Sequence, residues 1–256
     1  MKKIFLLSLF IIGTIFCIEQ KDKGNAMERH VKYKNIIFDF GGVLTEFPLQ
    51  KIFQDIFVQG EEVMSMELWQ ELFWCDSFAE LQRGNITAAQ ALKTLPKKYN
   101  QDQVIKFFYS LPAYLTPVPQ VINLVKLLKE KGYKLFLLSN SASDIDFDKT
   151  EYGFLKLFDG LIYSHIVHAI KPDPEIYHIL FDTYKIKAEE CLFIDDFEKN
   201  IIGAKAVGMD GIICVDHDLM IKELGKFGVL QQAEIDSLYL TIKPFEHKFD
   251  QKEHNL

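Results

Sequence analysis

The sequence has few cysteines, no excess of positive charge and no repeated segment. Its 4 cysteines are too few for a disulfide framework; Cys17 lies in an apolar N-terminal run, and Cys75, Cys191 and Cys214 lack the spacing of a metal site. The 29 basic residues against 36 acidic ones give a net charge of −7, which argues against nucleic-acid binding, because such binding normally needs a basic face. A glycine-rich loop of the nucleotide-binding type is also missing. The 256 residues, 48% of them hydrophobic, therefore predict one sizeable globular domain or a domain with an insert.

Residues 1–22 predict a signal peptide or an uncleaved N-terminal anchor. Lys2 and Lys3 precede a mainly apolar run over residues 4–18, which is shorter than the roughly 20 residues of a membrane-spanning helix. Phe16 is bulky where a cleavage site or a lipoprotein signal needs a small residue, so cleavage and anchoring both stay open. We expect the protein to be exported, either periplasmic or secreted, or to be held at a membrane through this segment alone.

From residue 33 onward, strand-like and helix-like patterns alternate. Short apolar runs predict strands at residues 36–40, 134–138, 161–163, 191–194 and 211–215. Helical patterns lie at residues 119–132, 174–186 and 200–208. Strands separated by helices imply right-handed crossovers, so we expect an α/β fold with a Rossmann-like parallel sheet.

Polar residues follow four of the predicted strands. They are Asp39-Phe40-Gly41-Gly42, Ser139-Asn140, Lys171 and Asp195-Asp196. Open parallel sheets bind ligands beyond the carboxyl ends of their strands, so these side chains are expected to meet at one edge. Each segment alone also fits a turn or a helix cap. The adjacent acids Asp195 and Asp196 are harder to explain in that way, because they repel each other unless a cation lies between them.

The four segments "FDFGGVL", "LSNS", "KPDPEIY" and "FIDD" resemble, in order and spacing, the four motifs of the haloacid dehalogenase-like (HAD) superfamily. Within it the chain is most similar to small sugar-phosphate phosphatases related to alpha-glucose-1-phosphatase, and to the phosphatase domain of soluble epoxide hydrolases. The resemblance covers about residues 33–216. It implies a Mg²⁺-dependent phosphoric monoester hydrolase that acts on a small, sugar-phosphate-like metabolite.

The resemblance also implies the catalytic groups. Asp39 would be the nucleophile, since a carboxylate can take a phosphoryl group covalently as an aspartyl-phosphate and so divide hydrolysis into two steps. Lys171 would offset the negative charge of Asp39 and the phosphoryl oxygens, and Ser139 would hydrogen-bond one of those oxygens. Asn140 would orient the nucleophile or the substrate.

A magnesium site is implied at the same strand ends. Mg²⁺ prefers oxygen ligands and is commonly held by one or two carboxylates together with substrate phosphate. Asp39 and the backbone carbonyl of Gly41 would bind the ion. Asp195 is expected as a direct ligand, and Asp196 as a direct or water-mediated one.

Gly41 departs from the usual motif. Most phosphatases of the superfamily have a second acid here, which protonates the leaving oxygen and later activates water; such a role typically contributes about 10²–10⁴-fold. Gly41 and Gly42 instead give a phosphate close access to backbone N–H groups. Glu46 or a cap residue could supply the proton.

The sequence predicts three parts besides the leader. Residues 33–45 and 115–216 form the Rossmann-like core, residues 46–114 form an inserted α-helical cap, and residues 217–256 form a C-terminal helix and extension. In such enzymes the cap closes over the site and selects the substrate. Its candidate pocket residues are Trp69, Phe73, Trp74 and Arg83.

Two other functions are compatible with the motifs. A metal-independent haloacid dehalogenase also uses an aspartate nucleophile and lacks the second acid, but it does not need the Asp195-Asp196 pair. A catalytically silent binding protein that has kept the fold is supported only by the glycine at position 41.

Overall fold

The computed structural model describes residues 32–48, 51–52, 54–55, 75–94, 102, 106, 110–111, 113–142 and 150–240. The predicted leader, the cap candidates Trp69, Phe73 and Trp74, and the last residues of the C-terminal extension lie outside these ranges. Within them, no helix has both the length and the apolar character needed to span a membrane.

The core is a parallel sheet of five strands in the order β3-β2-β1-β4-β5. The strands are β1 (Asn35–Phe38), β2 (Lys134–Ser139), β3 (Gly160–Tyr163), β4 (Cys191–Asp195) and β5 (Asp210–Ile213). The predicted parallel α/β sheet is thus confirmed. β1 ends at Phe38 rather than Phe40, because the backbone carbonyl of Phe40 accepts hydrogen bonds from Leu44 and Thr45 and so closes a turn.

Eight α-helices and two short 3₁₀ segments are described around this sheet. The helices are α1 (Asp76–Gln82), α2 (Ala88–Thr94), α3 (Pro119–Glu130), α4 (Ser164–Val167), α5 (Pro174–Tyr184), α6 (Glu198–Ala206), α7 (His217–Lys226) and α8 (Gln232–Leu240). The 3₁₀ segments are Thr150–Leu157 and Ala188–Glu190. Proline opens α3 and α5, where its missing N–H costs nothing, and the Thr87 side chain accepts a hydrogen bond from the Gln90 N–H at the start of α2.

Helices cover both faces of the sheet, because successive strand residues point to opposite sides. Ile36 and Phe38 of β1 pack into a cluster with α3, α7 and α8. Ile37 packs into a second cluster with α5 and α6. Ile235 and Leu238 attach α8 to the first cluster, so the C-terminal region has two helices where the sequence predicts one.

The described part of the cap lies between β1 and α3 in the chain. Phe78 and Leu81 of α1 pack against Ala88 and Ala91 of α2 and form a small apolar cluster of their own. An α-helical insert is therefore present where the sequence predicts one, although its boundaries at residues 46 and 114 stay a prediction.

Candidate active site

The sheet register brings the polar strand ends together. Phe38 of β1 is paired with Leu137 of β2 and with Ile194 of β4. The next residues along these strands, Asp39 and Asp195, therefore leave the sheet side by side, and the Asp39 N–H donates to the Ile194 carbonyl at 2.9 Å. Ser139, the last residue of β2, lies at the same edge and is buried.

Lys171 reaches this edge from the loop between α4 and α5. Its Nζ lies 2.7 Å from Asp39 Oδ1 and 2.7 Å from Asp195 Oδ2, and the side chain is 1% exposed. Burial lowers the pKa of Lys171, but the charges of Asp195 and Asp39 outweigh that effect and the pKa is raised. The lysine is therefore a permanent cation between two carboxylates.

Asn140 fixes the backbone of Lys171. Its Nδ2 donates to the Lys171 carbonyl and its Oδ1 accepts from the Lys171 N–H, both at 2.9 Å. The sequence predicts that Asn140 orients the nucleophile or the substrate. In the structure its amide positions the backbone of Lys171 instead. This role cannot be read from the sequence, because the two residues are 31 positions apart.

Asp39 is buried at the base of a cavity, with 8% of its surface exposed. The pKa of Asp39 is raised to about 6, because burial and, less strongly, the charge of Asp195 raise it by more than Lys171 lowers it. Near neutral pH the carboxylate is the form that Lys171 stabilises, and the carboxylate is the nucleophilic form.

Both oxygens of Asp195 are occupied by protein donors. Oδ1 accepts from the Phe197 N–H at 2.8 Å and from Asn200 Nδ2 at 2.9 Å. Oδ2 accepts from Lys171 Nζ at 2.7 Å and from Asn200 Nδ2 at 3.1 Å. Asp195 is fully buried and is held chiefly as the partner of Lys171.

Asp196 differs, because its Oδ1 is buried without a hydrogen-bond partner among the described residues. Burial and then the charges of Asp39 and Asp195 together raise the pKa of Asp196 to about 8, and Lys171 offsets only part of that rise. Oxygen atoms of Asp39, Asp195 and Asp196 lie within 4.8 Å of one another. Three carboxylates with one open buried oxygen fit a hard divalent cation such as Mg²⁺.

Gly41 and Gly42 differ in the space around them. Gly42 has φ +75, and a Cβ there would lie 2.4 Å from Asp196 Oδ2. A Cβ at Gly41 would meet only Leu115 Cδ2, at 3.9 Å, which is an ordinary contact. The loop therefore requires glycine at position 42, whereas position 41 has room for a side chain.

A cavity of about 340 Å³ opens above Asp39. Its polar end is formed by the predicted site residues Asp39, Gly41, Ser139, Asn140, Lys171 and Asp196. Glu46 does not line this cavity; it is exposed and borders a neighbouring one of about 430 Å³ beside Gly42 and Asp196. Apolar residues of the core that line the 340 Å³ cavity, among them Leu115 and Ile170, carry no signal in the sequence that sets them apart from ordinary core residues.

The end of α1 is attached to the core beside Lys171. Ser164 Oγ donates to the Gln82 carbonyl at 2.7 Å and accepts from the Ser141 N–H at 2.9 Å. The guanidinium of Arg83 binds Asp173 at 2.7 Å. Arg83, a candidate pocket residue in the sequence, is thus a contact between cap and core and is not among the described residues of the cavity wall.

Comparison with known proteins agrees with this geometry. A model of the haloacid dehalogenase-like hydrolases matches residues 33–208. The chain is 29% identical over 194 residues to the mouse bifunctional epoxide hydrolase 2, covering 64% of this chain and 35% of that protein. It therefore spans about a third of the length of that relative. It is 27% identical over 191 residues to the sesquiterpene phosphatase astK of Aspergillus oryzae, covering 72% of this chain and 91% of that one.

A bacterial relative and two solved structures extend the comparison. The D-ribitol-5-phosphate phosphatase of Bacteroides thetaiotaomicron is 26% identical over 192 residues, covering 69% of this chain and 89% of that one. A HAD-like hydrolase from Porphyromonas gingivalis superposes with a TM-score of 0.60 at 22% identity, covering 78% and 100% of the two chains. A Bacteroides thetaiotaomicron HAD enzyme, crystallised with magnesium and inorganic phosphate, gives 0.55 at 22% identity, covering 71% and 93%. At these identities the solved structures establish a shared fold.

Proposed function

The chain belongs to the haloacid dehalogenase-like hydrolases, and we propose that it is a Mg²⁺-dependent phosphatase that hydrolyses a small phosphorylated metabolite through Asp39. Two relatives that match most of this chain are named as phosphatases, one of a sesquiterpene and one of D-ribitol 5-phosphate. Their names differ in the organic group and agree in phosphatase activity. The proposal therefore rests first on the site and only then on these names.

One observation carries the proposal. A buried lysine is bonded to two carboxylates, Asp39 and Asp195, while Asp196 beside them keeps an open buried oxygen. A lysine alone would balance only part of the charge of three acids. The site is thus short of positive charge, and an oxygen-seeking divalent cation supplies it.

Asp39 carries the phosphoryl group in two steps. A carboxylate oxygen of Asp39 attacks phosphorus and forms a bond to it, the bond to the leaving oxygen breaks, and that oxygen takes a proton from solvent because position 41 has no acid. Water then attacks the phosphorus and loses a proton to solvent, the bond between Asp39 and phosphorus breaks, and inorganic phosphate and the Asp39 carboxylate are released. Lys171 compensates the charge on Asp39 and on the phosphoryl oxygens throughout. Asn140 holds the lysine backbone in place for both steps.

The proposed metal site uses residues that meet at the strand ends. The ion would be held by Asp39, Asp196 and the Gly41 carbonyl. Asp195 lies next to these groups and would contribute to the site. When bound, Mg²⁺ neutralises the phosphate charge that would otherwise repel the Asp39 carboxylate. Because Asp195 already accepts four hydrogen bonds, we propose Asp196 as the principal ligand of the pair.

A phosphate-ester panel assayed with Mg²⁺ and with excess EDTA tests the proposal. We expect release of inorganic phosphate with Mg²⁺, its loss in EDTA and its recovery when Mg²⁺ is restored. A haloacid dehalogenase would release halide from 2-haloacids in EDTA and would not hydrolyse phosphate esters. Absence of both activities, in protein whose circular dichroism indicates a folded chain, would favour the silent binding protein.

A further inference from the structure

Among the described residues, the wall of the cavity above Asp39 is mainly apolar away from the end where the phosphate would lie. We infer that the substrate is the monophosphate ester of an uncharged, apolar alcohol rather than a sugar phosphate. This inference rests on the proposed phosphatase function and concerns the organic group that the same cavity holds. It departs from the sugar-phosphate-like substrate that the sequence motifs imply.

The wall beyond the phosphate end is largely hydrocarbon. Core and cap contribute Phe40, Phe47, Phe78, Leu111, Leu115 and Ile170. The cavity volume of about 340 Å³ lies near the lower end of the ~300–1,000 Å³ that small-molecule sites occupy. Such a wall takes up an apolar group of matching size, because both surfaces leave water together.

The polar groups near the wall are already engaged. The Asn140 amide is bonded at both ends to the Lys171 backbone, and the Asn200 amide donates to Asp195. The Ser141 hydroxyl is bonded to His165 Nδ1 at 3.0 Å. Sugar hydroxyls placed here would lose their hydrogen bonds to water and contact apolar side chains instead. Burying a polar group without a hydrogen-bond partner is strongly disfavoured.

Two polar side chains of α1 are the exception on the described wall. Asp76 and Gln82 line the cavity at the first and last residues of this helix. They could accept or donate one or two hydrogen bonds, which suits a single hydroxyl of a substrate. On the part of the wall that the structure describes, they are too few for the several hydroxyls of a sugar.

The described charges of the cavity disfavour a second anionic group. Lys171 is the single basic residue among the described lining residues, and both Asp39 and Asp195 already bind it. Two further lining residues, Asp76 and Asp196, are acids. A second phosphate or a carboxylate on the organic group would meet these acids on the described wall, so a single phosphate suits the cavity best.

A series of n-alkyl monophosphates from ethyl to octyl, with glucose 6-phosphate beside it, tests the inference. The esters all release primary alcohols, so differences in kcat/KM along the alkyl series report the binding of the organic group rather than its leaving ability. We expect kcat/KM to rise about threefold per added methylene until the cavity is full. Octyl phosphate should exceed glucose 6-phosphate and octyl diphosphate by at least about tenfold.

A matched pair of variants places the effect in the cavity. Leu111→Gln puts an amide of similar size on the wall and should lower the octyl-to-ethyl ratio of kcat/KM about tenfold. Leu219→Gln makes the same change on α7, where Leu219 is 51% exposed and does not line the cavity, and should keep the wild-type ratio.

The outcomes separate the two proposals. A flat alkyl series, with glucose 6-phosphate hydrolysed as well as octyl phosphate, would overturn the apolar substrate and leave the phosphatase standing. No hydrolysis of any ester with Mg²⁺ would overturn the phosphatase, and the inference with it.

Discussion

Gly42 and Asp196 are in such close contact that a Cβ at position 42 would lie 2.4 Å from Asp196 Oδ2. Gly42 also has φ +75, a conformation that costs an L-residue about 1–2 kcal/mol. Gly42→Ala should therefore lower the free energy of unfolding by about that amount and raise the Mg²⁺ concentration for half-maximal activity, because Asp196 must move. Gly41→Ala is the matched control and should leave the melting temperature nearly unchanged. Equal melting temperatures for the two variants would contradict the conformation given to Gly42.

Asp196→Asn should have opposite effects on the metal-free and metal-bound proteins. The pKa of Asp196 is raised from 3.8 to about 8, so the folded metal-free protein loses stability as the pH rises between these values. Asparagine does not ionise and avoids this loss, so at pH 8 in EDTA the variant should melt at a higher temperature than the wild type. With Mg²⁺ it should need about tenfold more metal for half-maximal activity, as one charged ligand is lost. A variant that melts lower in EDTA, yet keeps its Mg²⁺ requirement, would contradict this role for Asp196.

Gly41→Asp should restore proton donation to the leaving group. A Cβ at position 41 meets only Leu115 Cδ2 at 3.9 Å, so the loop can accept the side chain. In the wild type we expect log kcat/KM to fall steeply as the leaving-group pKa rises, which favours p-nitrophenyl phosphate over glycerol phosphate. The variant should gain about 10²-fold on alkyl esters and little on aryl esters. If the wild-type plot is flat while chemistry limits the rate, another residue donates the proton, and Asp76, an acid that lines the cavity, is the first to mutate.

Ser164→Ala should loosen the contact between α1 and the core. Ser164 is fully buried, and its hydroxyl links the Gln82 carbonyl to the Ser141 N–H. Removing it takes a partner from the buried Ser141 N–H and from the partly buried Gln82 carbonyl, which costs about 1–3 kcal/mol of stability. Because α1 forms part of the cavity wall, KM should rise more than kcat falls. Ser237→Ala, on the exposed side of α8, is the control. Equal KM values for the two variants would contradict the prediction, because the Ser164 contact would then have no effect on substrate binding.

The fold and the meeting of the strand ends could be predicted because both follow from local patterns. Apolar runs that end in Asp39 and Asp195 indicate strands of a parallel sheet, and parallel strands place their carboxyl ends at one edge. The sequence does not give the order of the strands; the structure shows that β1 and β4 are neighbours.

Other features depend on contacts between residues far apart in the chain. The hydrogen bonds between Asn140 and Lys171 join residues 31 positions apart, and the bond between Ser164 and Gln82 joins residues 82 positions apart. No local sequence pattern therefore indicates either contact. The sequence likewise assigns both acids to the metal, Asp195 as a direct ligand and Asp196 as a direct or water-mediated one. Only the tertiary structure shows that one is surrounded by donors and the other keeps an open oxygen among the described residues. Arg83 is a candidate pocket residue in the sequence, but its guanidinium binds Asp173 of the core.

The rate of phosphate release by Asp39→Asn tests the central claim most directly. The substitution keeps the shape of the side chain and removes the charge that attacks phosphorus, so the fold should survive. With p-nitrophenyl phosphate and saturating Mg²⁺, we expect release to fall to the background rate while circular dichroism stays that of the wild type. A folded Asp39→Asn protein that retains a substantial fraction of wild-type turnover would contradict the account. The phosphoryl group would then be accepted by a group other than Asp39.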